Sequence, residues 1–369
     1  MAAILIDDVT PGVRITHDVF TTQGNLLFPK GKTVMPKDIE ILRAFLIEEI
    51  NNGKSPKEEM IQAPSVESDA LNEIGAKVKA IQKVLSFEKD YEKMITLLKN
   101  VFRNVAVAEI PVLELRIQME KLLQYSREYN ILTFYPKSIN KQDYWYHNAV
   151  LTGLTSYKIA HWLGLPANEG MQVAFAGLFH DIGNAKIDLD ILQKPSKLTS
   201  SEVEEIRRHT MYGYELLKNV KGISEGVRLA ALQHHEKVDG SGYPLRLQAD
   251  QIHIYAKIVG VADIFHAMTL SKSYSQAQSP YLVLEQIDSE AFGKLDPKIV
   301  TTFISKVTQF HNGTMVRLNN GLIGEIIFSD RSHPTRPLVS VDGTIYNLIE
   351  NHQLFIKEII KRKEVLQKN

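Results

Sequence analysis

His180 and Asp181 stand side by side at the end of an apolar helical run, in AGLFHDIGNAKI, where an ordinary core carries nothing ionisable. They keep company. His147 lies 33 residues upstream, His209 lies 28 beyond Asp181, His234-His235 follow, and Asp263 comes 28 after His235. Five of the 12 histidines of the chain fall in this set. Five imidazoles and two carboxylates buried without a shared partner carry a heavy desolvation cost, so core packing explains the set poorly and a shared metal site explains it better. The chain has no cysteine, which removes thiolate sites, disulfides and Cys nucleophiles and leaves His, Asp and Glu as ligands. One carboxylate can bridge two ions with its two oxygens, and Asp181 is placed for that role. Two ions about 3.5–4 Å apart can hold a bridging hydroxide and clamp a phosphate for in-line displacement. Adjacent helical residues differ by about 100°, so His234 and His235 reach one cluster only from a helix terminus or side.

Around this set the chain divides into four parts. Residues 1–60 read as an accessory α+β unit: Ile4–Ile6, PGVRITHDVF and NLLFPKG are short strands between turns, and MPKDIEILRAFLIEEI has helical apolar spacing (Ile39, Leu42, Phe45, Leu46). The polar stretch 51–68 reads as a linker. Residues 69–130 form a helical connector, with stripes in LNEIGAKVKAIQKVL, YEKMITLLKNVF and VLELRIQMEKLLQYS. Residues 131–311 stay helical and hold nearly all the chemistry. Residues 312–360 change to short β-type runs split by NNG, HP and DG turns, a small β-rich unit that can pack with the N-terminal one. The fold class is mainly α. Of the seven other histidines, six (His17, His161, His253, His311, His333 and His352) read as surface or capped residues, and the seventh is His266.

The charge balance removes some partners. With 43 basic and 43 acidic residues and no basic stripe, a nucleic-acid polymer is a poor ligand, whereas a small phosphorylated molecule needs only a local positive site. No apolar run approaches the length of a membrane span, and MAAILIDDVTPG lacks the form of a signal peptide, so a cytoplasmic protein is expected.

HDIG, ILQKPSKLTSSE, RRHTMYGYELL, HHEKVDGSGYP and AKIVGVADIFHAMT occur in that order, and the series resembles the HD-GYP subgroup of the HD phosphohydrolase superfamily over about 140–305. The N-terminal PGVRITHDVF and C-terminal NGTMVRLNNG segments are more loosely similar to accessory units that accompany such domains. The resemblance implies a helical metal-dependent phosphohydrolase domain that hydrolyses cyclic di-GMP to pGpG or GMP. It implies two or three divalent ions, with iron or manganese as the leading choices and Mg, Zn or Co as alternatives. One ion would be held by His147, His180, Asp181 and Asp263, and a second by Asp181, His209, His234 and His235. Asp143, four before His147, stands where members with a third ion place an acid; it reads equally well as a helix N-terminal carboxylate. Gly242-Tyr243-Pro244 matches the signature loop, which flanks the substrate groove and is associated with docking of GGDEF-type cyclase domains. A homodimer through the connector helices is a further expectation.

The chain departs from the family pattern around the phosphate. Asn184 replaces a lysine that touches phosphate, with Lys186 two residues on. His266 replaces an aspartate, Lys272 an arginine, and Ser275 a basic residue. Lost positive charge weakens transition-state stabilisation, and Lys272 lacks the bidentate fork of arginine. His266 can ligate metal or protonate the leaving oxygen beside His180 and Asp181. Two alternatives stand beside the phosphodiesterase: an enzyme for another cyclic dinucleotide such as cyclic GMP-AMP, and a catalytically weak cyclic di-GMP sensor or protein-interaction module.

Overall fold

The structure is a computed structural model. It describes residues 2–360 except 7–8, 21–25, 45–46, 48, 53–65, 106–107, 127–128, 137–138, 140–142, 272–276 and 310–312. The N-terminal unit holds β1 (Ala2–Leu5), β2 (Val19–Phe20), β3 (Leu26–Phe28), α1 (Pro36–Ala44) and β4 (Glu49–Asn52). β1 pairs antiparallel with β4, and β2 with β3. The helix expected to run to Ile50 therefore stops earlier. Ile50 instead pairs with Ile4, giving the first strand its hydrogen-bonding partner.

A single helix, α2 (Val66–Asn104), replaces the two connector stripes read from the sequence, because no Gly or Pro separates them. It is followed by α3 (Val112–Leu123), α4 (Tyr144–Trp162) and α5 (Ala167–Phe179). Every residue of α5 from Val173 to Phe179 is buried, so this helix runs through the middle of the domain. It lies tightly against α4: a Cβ on Gly177 would meet the Cα of Gly153 at 2.7 Å. After a 3-10 turn (Ile182–Lys186) come α6 (Leu189–Leu192), α7 (Ser200–Arg207), α8 (His209–Leu217), α9 (Glu225–Gln233), α10 (Ile254–Thr269), α11 (Pro280–Lys294) and α12 (Pro297–Val307). Local chemistry sets several starts. α7 has a reciprocal Thr199/Glu202 capping box, and Asp296 accepts from the N–H groups of Lys298 and Ile299 to open α12. His253 caps α10 by accepting from the Tyr255 N–H.

The C-terminal strands are β5 (Met315–Leu318), β6 (Ile323–Phe328), β7 (Leu338–Val341), β8 (Thr344–Asn347) and β9 (Ile356–Ile359), in an antiparallel sheet of order β8-β7-β6-β5-β9. Asp342 and Gly343 carry φ of 47° and 84°, the two positive angles a tight β7–β8 hairpin requires. Val316, Leu318, Ile326, Val339 and Ile356 from this sheet join the helical core. Ile327 points the other way, into a second core with Ile6, Val9, Ile15, Phe28 and Leu42. The sheet thus sits between the N-terminal unit and the helices. Among the described residues, no helix is long and apolar enough to cross a membrane.

Candidate metal centre

Helix ends deliver most of the side chains. His180 is the C-cap of α5, Asp181 begins the 3-10 turn, and His209 opens α8. α9 stops at Gln233, so His234 at its C-cap and His235 beyond it approach from a helix terminus. Asp263 projects from within α10 and His147 from the first turn of α4. The 3-10 turn approaches α8 so closely that a Cβ on Gly183 would overlap the His209 carbonyl oxygen, which explains the glycine after His180-Asp181.

Ligand atoms of Asp181, His209, His234 and His235 lie within 4.8 Å of one another. The two oxygens of Asp181 face opposite partners. Oδ1 is 3.3 Å from His209 Nε2 and 3.8 Å from His234 Nε2, while Oδ2 is 3.5 Å from His180 Nε2. Asp263 Oδ1 is 3.3 Å from His180 Nε2 and accepts a 2.8 Å hydrogen bond from Asn148 Nδ2.

An outer ring of acceptors sets the tautomers. Nδ1 of His180 donates to the Gly177 carbonyl at 2.7 Å, that of His209 to Ile206 at 2.7 Å, and that of His234 to Ala230 at 3.0 Å. Carbonyls only accept, so in the neutral rings Nδ1 carries the proton and Nε2 turns a lone pair inward. His147 Nδ1 is anchored at 2.9 Å by Tyr91 Oη. Two of these lone pairs, on His209 Nε2 and His234 Nε2, face each other at 3.3 Å. His180 Nε2 is buried without a hydrogen bond of acceptable geometry. A divalent cation satisfies both features, so the residues fit the metal that the motifs imply.

Electrostatics agree. Burial pushes His234 well below its ordinary value, His235 to about 3 and His147 to about 4, so these rings are neutral near pH 7. His180 differs: burial opposes its charge, but Asp181 and Asp263 hold it at about 9. Burial favours a neutral Asp263 too, yet the close approach and positive charge of His180 keep that carboxyl well below the usual range.

The residues expected around the phosphate are more scattered. Asn184 is buried in the 3-10 turn, its N–H bonded to the Asp181 carbonyl at 3.0 Å. Lys186 is exposed with Nζ over the Tyr212 ring at 5.7 Å. Lys272 and Ser275 lie outside the described residues. His266 is buried, with Nε2 2.7 Å from Thr155 Oγ1, and burial lowers it to about 3, so it is a neutral imidazole here. Asp143 occupies the N-cap position of α4 and pairs with Lys99 Nζ at 2.9 Å.

Tyr243 stacks on His235 with ring centres 4.7 Å apart, and the Arg207 guanidinium lies 5.1 Å over the same ring. Glu236 organises this loop by accepting from the N–H groups of Leu245 (2.7 Å) and Leu247 (3.0 Å). A Cβ on Gly242 would collide with the Glu236 backbone, so the loop folds directly over the histidine pair. Sequence reading passed over Tyr91, Asn148, Thr155, Arg207 and Glu236. Asn148, Arg207 and Glu236 stand within two positions of a histidine in the set, a local signal; Tyr91 is 56 residues from its partner and left none.

The HD domain family matches residues 128–299, the stretch that holds the cluster and the tyrosine loop. A cyclic di-GMP phosphodiesterase of Pseudomonas aeruginosa is 32% identical over 50% of this chain and 44% of its own. The chain carries an HD-GYP domain. A 3′3′-cGAMP-specific phosphodiesterase of Vibrio cholerae is 34% identical over 42% of this chain and 30% of its own. The chain thus spans less than half the length of these two curated relatives. A solved HDG"Y"P protein of Bdellovibrio bacteriovorus superposes with a TM-score of 0.48 at 13% identity, over 82% of this chain and 97% of that one. The matched stretch covers α4 to α11, while α2, α3 and the C-terminal antiparallel sheet lie outside it in sequence.

Proposed function

We propose that this protein is a metal-dependent phosphodiesterase that hydrolyses cyclic di-GMP to pGpG or GMP. One observation carries the reading: the Asp181 carboxylate lies between His180 on one oxygen and His209 and His234 on the other, the arrangement a bridging ligand needs. His147, His180, Asp181 and Asp263 would hold one ion, and Asp181, His209, His234 and His235 the second. Divalent ions bound there supply the Lewis acidity that activates water and neutralises phosphate charge. Iron or manganese is the leading choice. A third ion at Asp143 would have to displace Lys99 from that carboxylate.

The residues of the chain do the positioning. The Nδ1 anchors keep the imidazoles aimed inward, so little reorganisation is needed as charge develops. Arg207, beside Tyr243, supplies a fixed positive charge near the site where Asn184 provides none. The leaving oxygen takes its proton from water, because the expected alternative, His266, is neutral and tied to Thr155. Anaerobic reconstitution with Mn or ferrous iron, followed by product analysis, tests the reading. Turnover that is abolished by His180→Ala with Asp181→Ala supports it, and turnover that persists in the double variant sinks it.

A second substrate is favoured by the cGAMP-specific relative, and rates across cyclic dinucleotides at equal concentration separate the two. Asn184, Lys272 and Ser275 motivate a weaker-turnover sensor, whose signature is metal and nucleotide bound with no product. The same proposal extends to a cytoplasmic location, to docking of a GGDEF-type cyclase at the loop bearing exposed Leu245, and to a homodimer through exposed Leu113 and Ile117 of α3.

A further inference from the structure

Between the start of α4 and the α6–α7 segment lies a cleft of about 440 Å³, within the range of small-ligand sites. Trp145, Ile191, Leu192, Pro195, Leu198 and Ile206 make its wall predominantly apolar, and Lys194, Ser196 and Lys197 add polar groups. The cleft and the cluster share a stretch of chain. Ile206 lines the cleft while its carbonyl orients His209, and Arg207 lies over the Tyr243 ring that stacks on His235. Trp145 sits two residues before His147, on the first turn of α4. The cleft thus borders the two chain segments that deliver His147 and His209 to the centre.

A cyclic dinucleotide brings charged phosphates and flat purines with polar edges. The histidine–aspartate cluster suits the phosphates and offers the purines nothing. Most aromatic faces nearby are taken: Tyr243 by His235 and Arg207, Tyr212 by Lys186, Tyr146 by Phe102. Trp145 is half-buried in the cleft wall, where Tyr144 meets it at 5.3 Å in an edge contact rather than a stack, and its indole N–H has no acceptor among the described residues. The two lysines also differ. Lys194 is committed to Glu202 at 2.6 Å, whereas Lys197 is exposed without a partner among the described residues. A free lysine matches the O6 and N7 acceptors of guanine and is repelled by the exocyclic amine that adenine presents beside N7.

We propose that this cleft is the subsite for one guanine base of the substrate, with Trp145 as the stacking face and Lys197 reading the O6/N7 edge. The proposal rests on the cyclic-dinucleotide reading above and adds a base preference to it. Two measurements on the full chain test it. Trp162→Phe leaves Trp145 as the single tryptophan, since the chain has two. GMP should then quench its emission saturably, AMP at least about fivefold more weakly, and ribose 5-phosphate not at all; Lys197→Met should erase the GMP preference. In turnover, Leu198→Asp or Trp145→Ala should lower kcat/KM for cyclic di-GMP relative to bis(p-nitrophenyl) phosphate by roughly tenfold to a hundredfold, the scale of one base stack. Equal quenching by ribose 5-phosphate, no quenching by GMP, or an unmoved substrate ratio in both variants overturns the subsite. If the unmodified protein cleaves neither diester, the phosphodiesterase reading fails, and the fluorescence alone decides whether the cleft takes guanine.

Discussion

Single side chains near the cluster do unequal work. Tyr91 anchors His147, and Tyr91→Phe should weaken metal binding by about 10- to 100-fold, as loss of an orienting hydrogen bond to a ligand typically does; titration calorimetry on the metal-stripped protein measures it. Gly183→Ala forces a methyl into the His209 carbonyl and should cost about 2–4 kcal/mol in urea unfolding. The pH response of the metal-free protein follows from the depressed histidines. His147 at about 4, with His235 and His266 at about 3, stay neutral when folded but take up protons when unfolded. Stability should therefore fall as pH drops from about 6.5, the unfolded value, towards about 3. His180 acts in the opposite sense: its raised value stabilises below about 6.5, and that contribution disappears as pH rises through about 9. Denaturant midpoints taken across this range check both signs.

Among the elements, the loop after α9 depends on one carboxylate. Glu236→Ala removes the acceptor for the N–H groups of Leu245 and Leu247, so those amides should exchange with solvent at least about tenfold faster. The loop should then lose its seat over His235, raising KM more than it lowers kcat. This element also shows what the sequence could carry. The HHE–DGSGYP string announced a loop beside ligands because its turn residues are local signals, and α9 ending before the pair follows from the 100° geometry. Arg207 over Tyr243 and Thr155 against His266 join different elements, and no local pattern encodes such meetings. The short α1 was misjudged for the same reason: helical spacing continued through Glu49 and Ile50, but a distant strand claimed them.

At the scale of the molecule, the helical core continues without interruption into the C-terminal sheet, and Arg336 pins the two together. Its guanidinium reaches the carbonyls of Leu348 and Leu354 and pairs with Glu285 of α11 at 2.6 Å. Arg336→Ala should split a shared melting transition, with the near-ultraviolet signal of the sheet lost first in calorimetry-matched scans. Ile327→Asp should instead loosen the N-terminal unit and leave the helices intact. The histidines of the centre finally imply something about how the protein is loaded. His147, His234 and His235 are already neutral there, while His180, held at about 9, is an imidazolium at neutral pH. Filling the centre therefore has to expel about one proton per chain. Metal uptake at this cluster is then an acid-releasing exchange, and mildly alkaline solution should load it more readily than acidic solution.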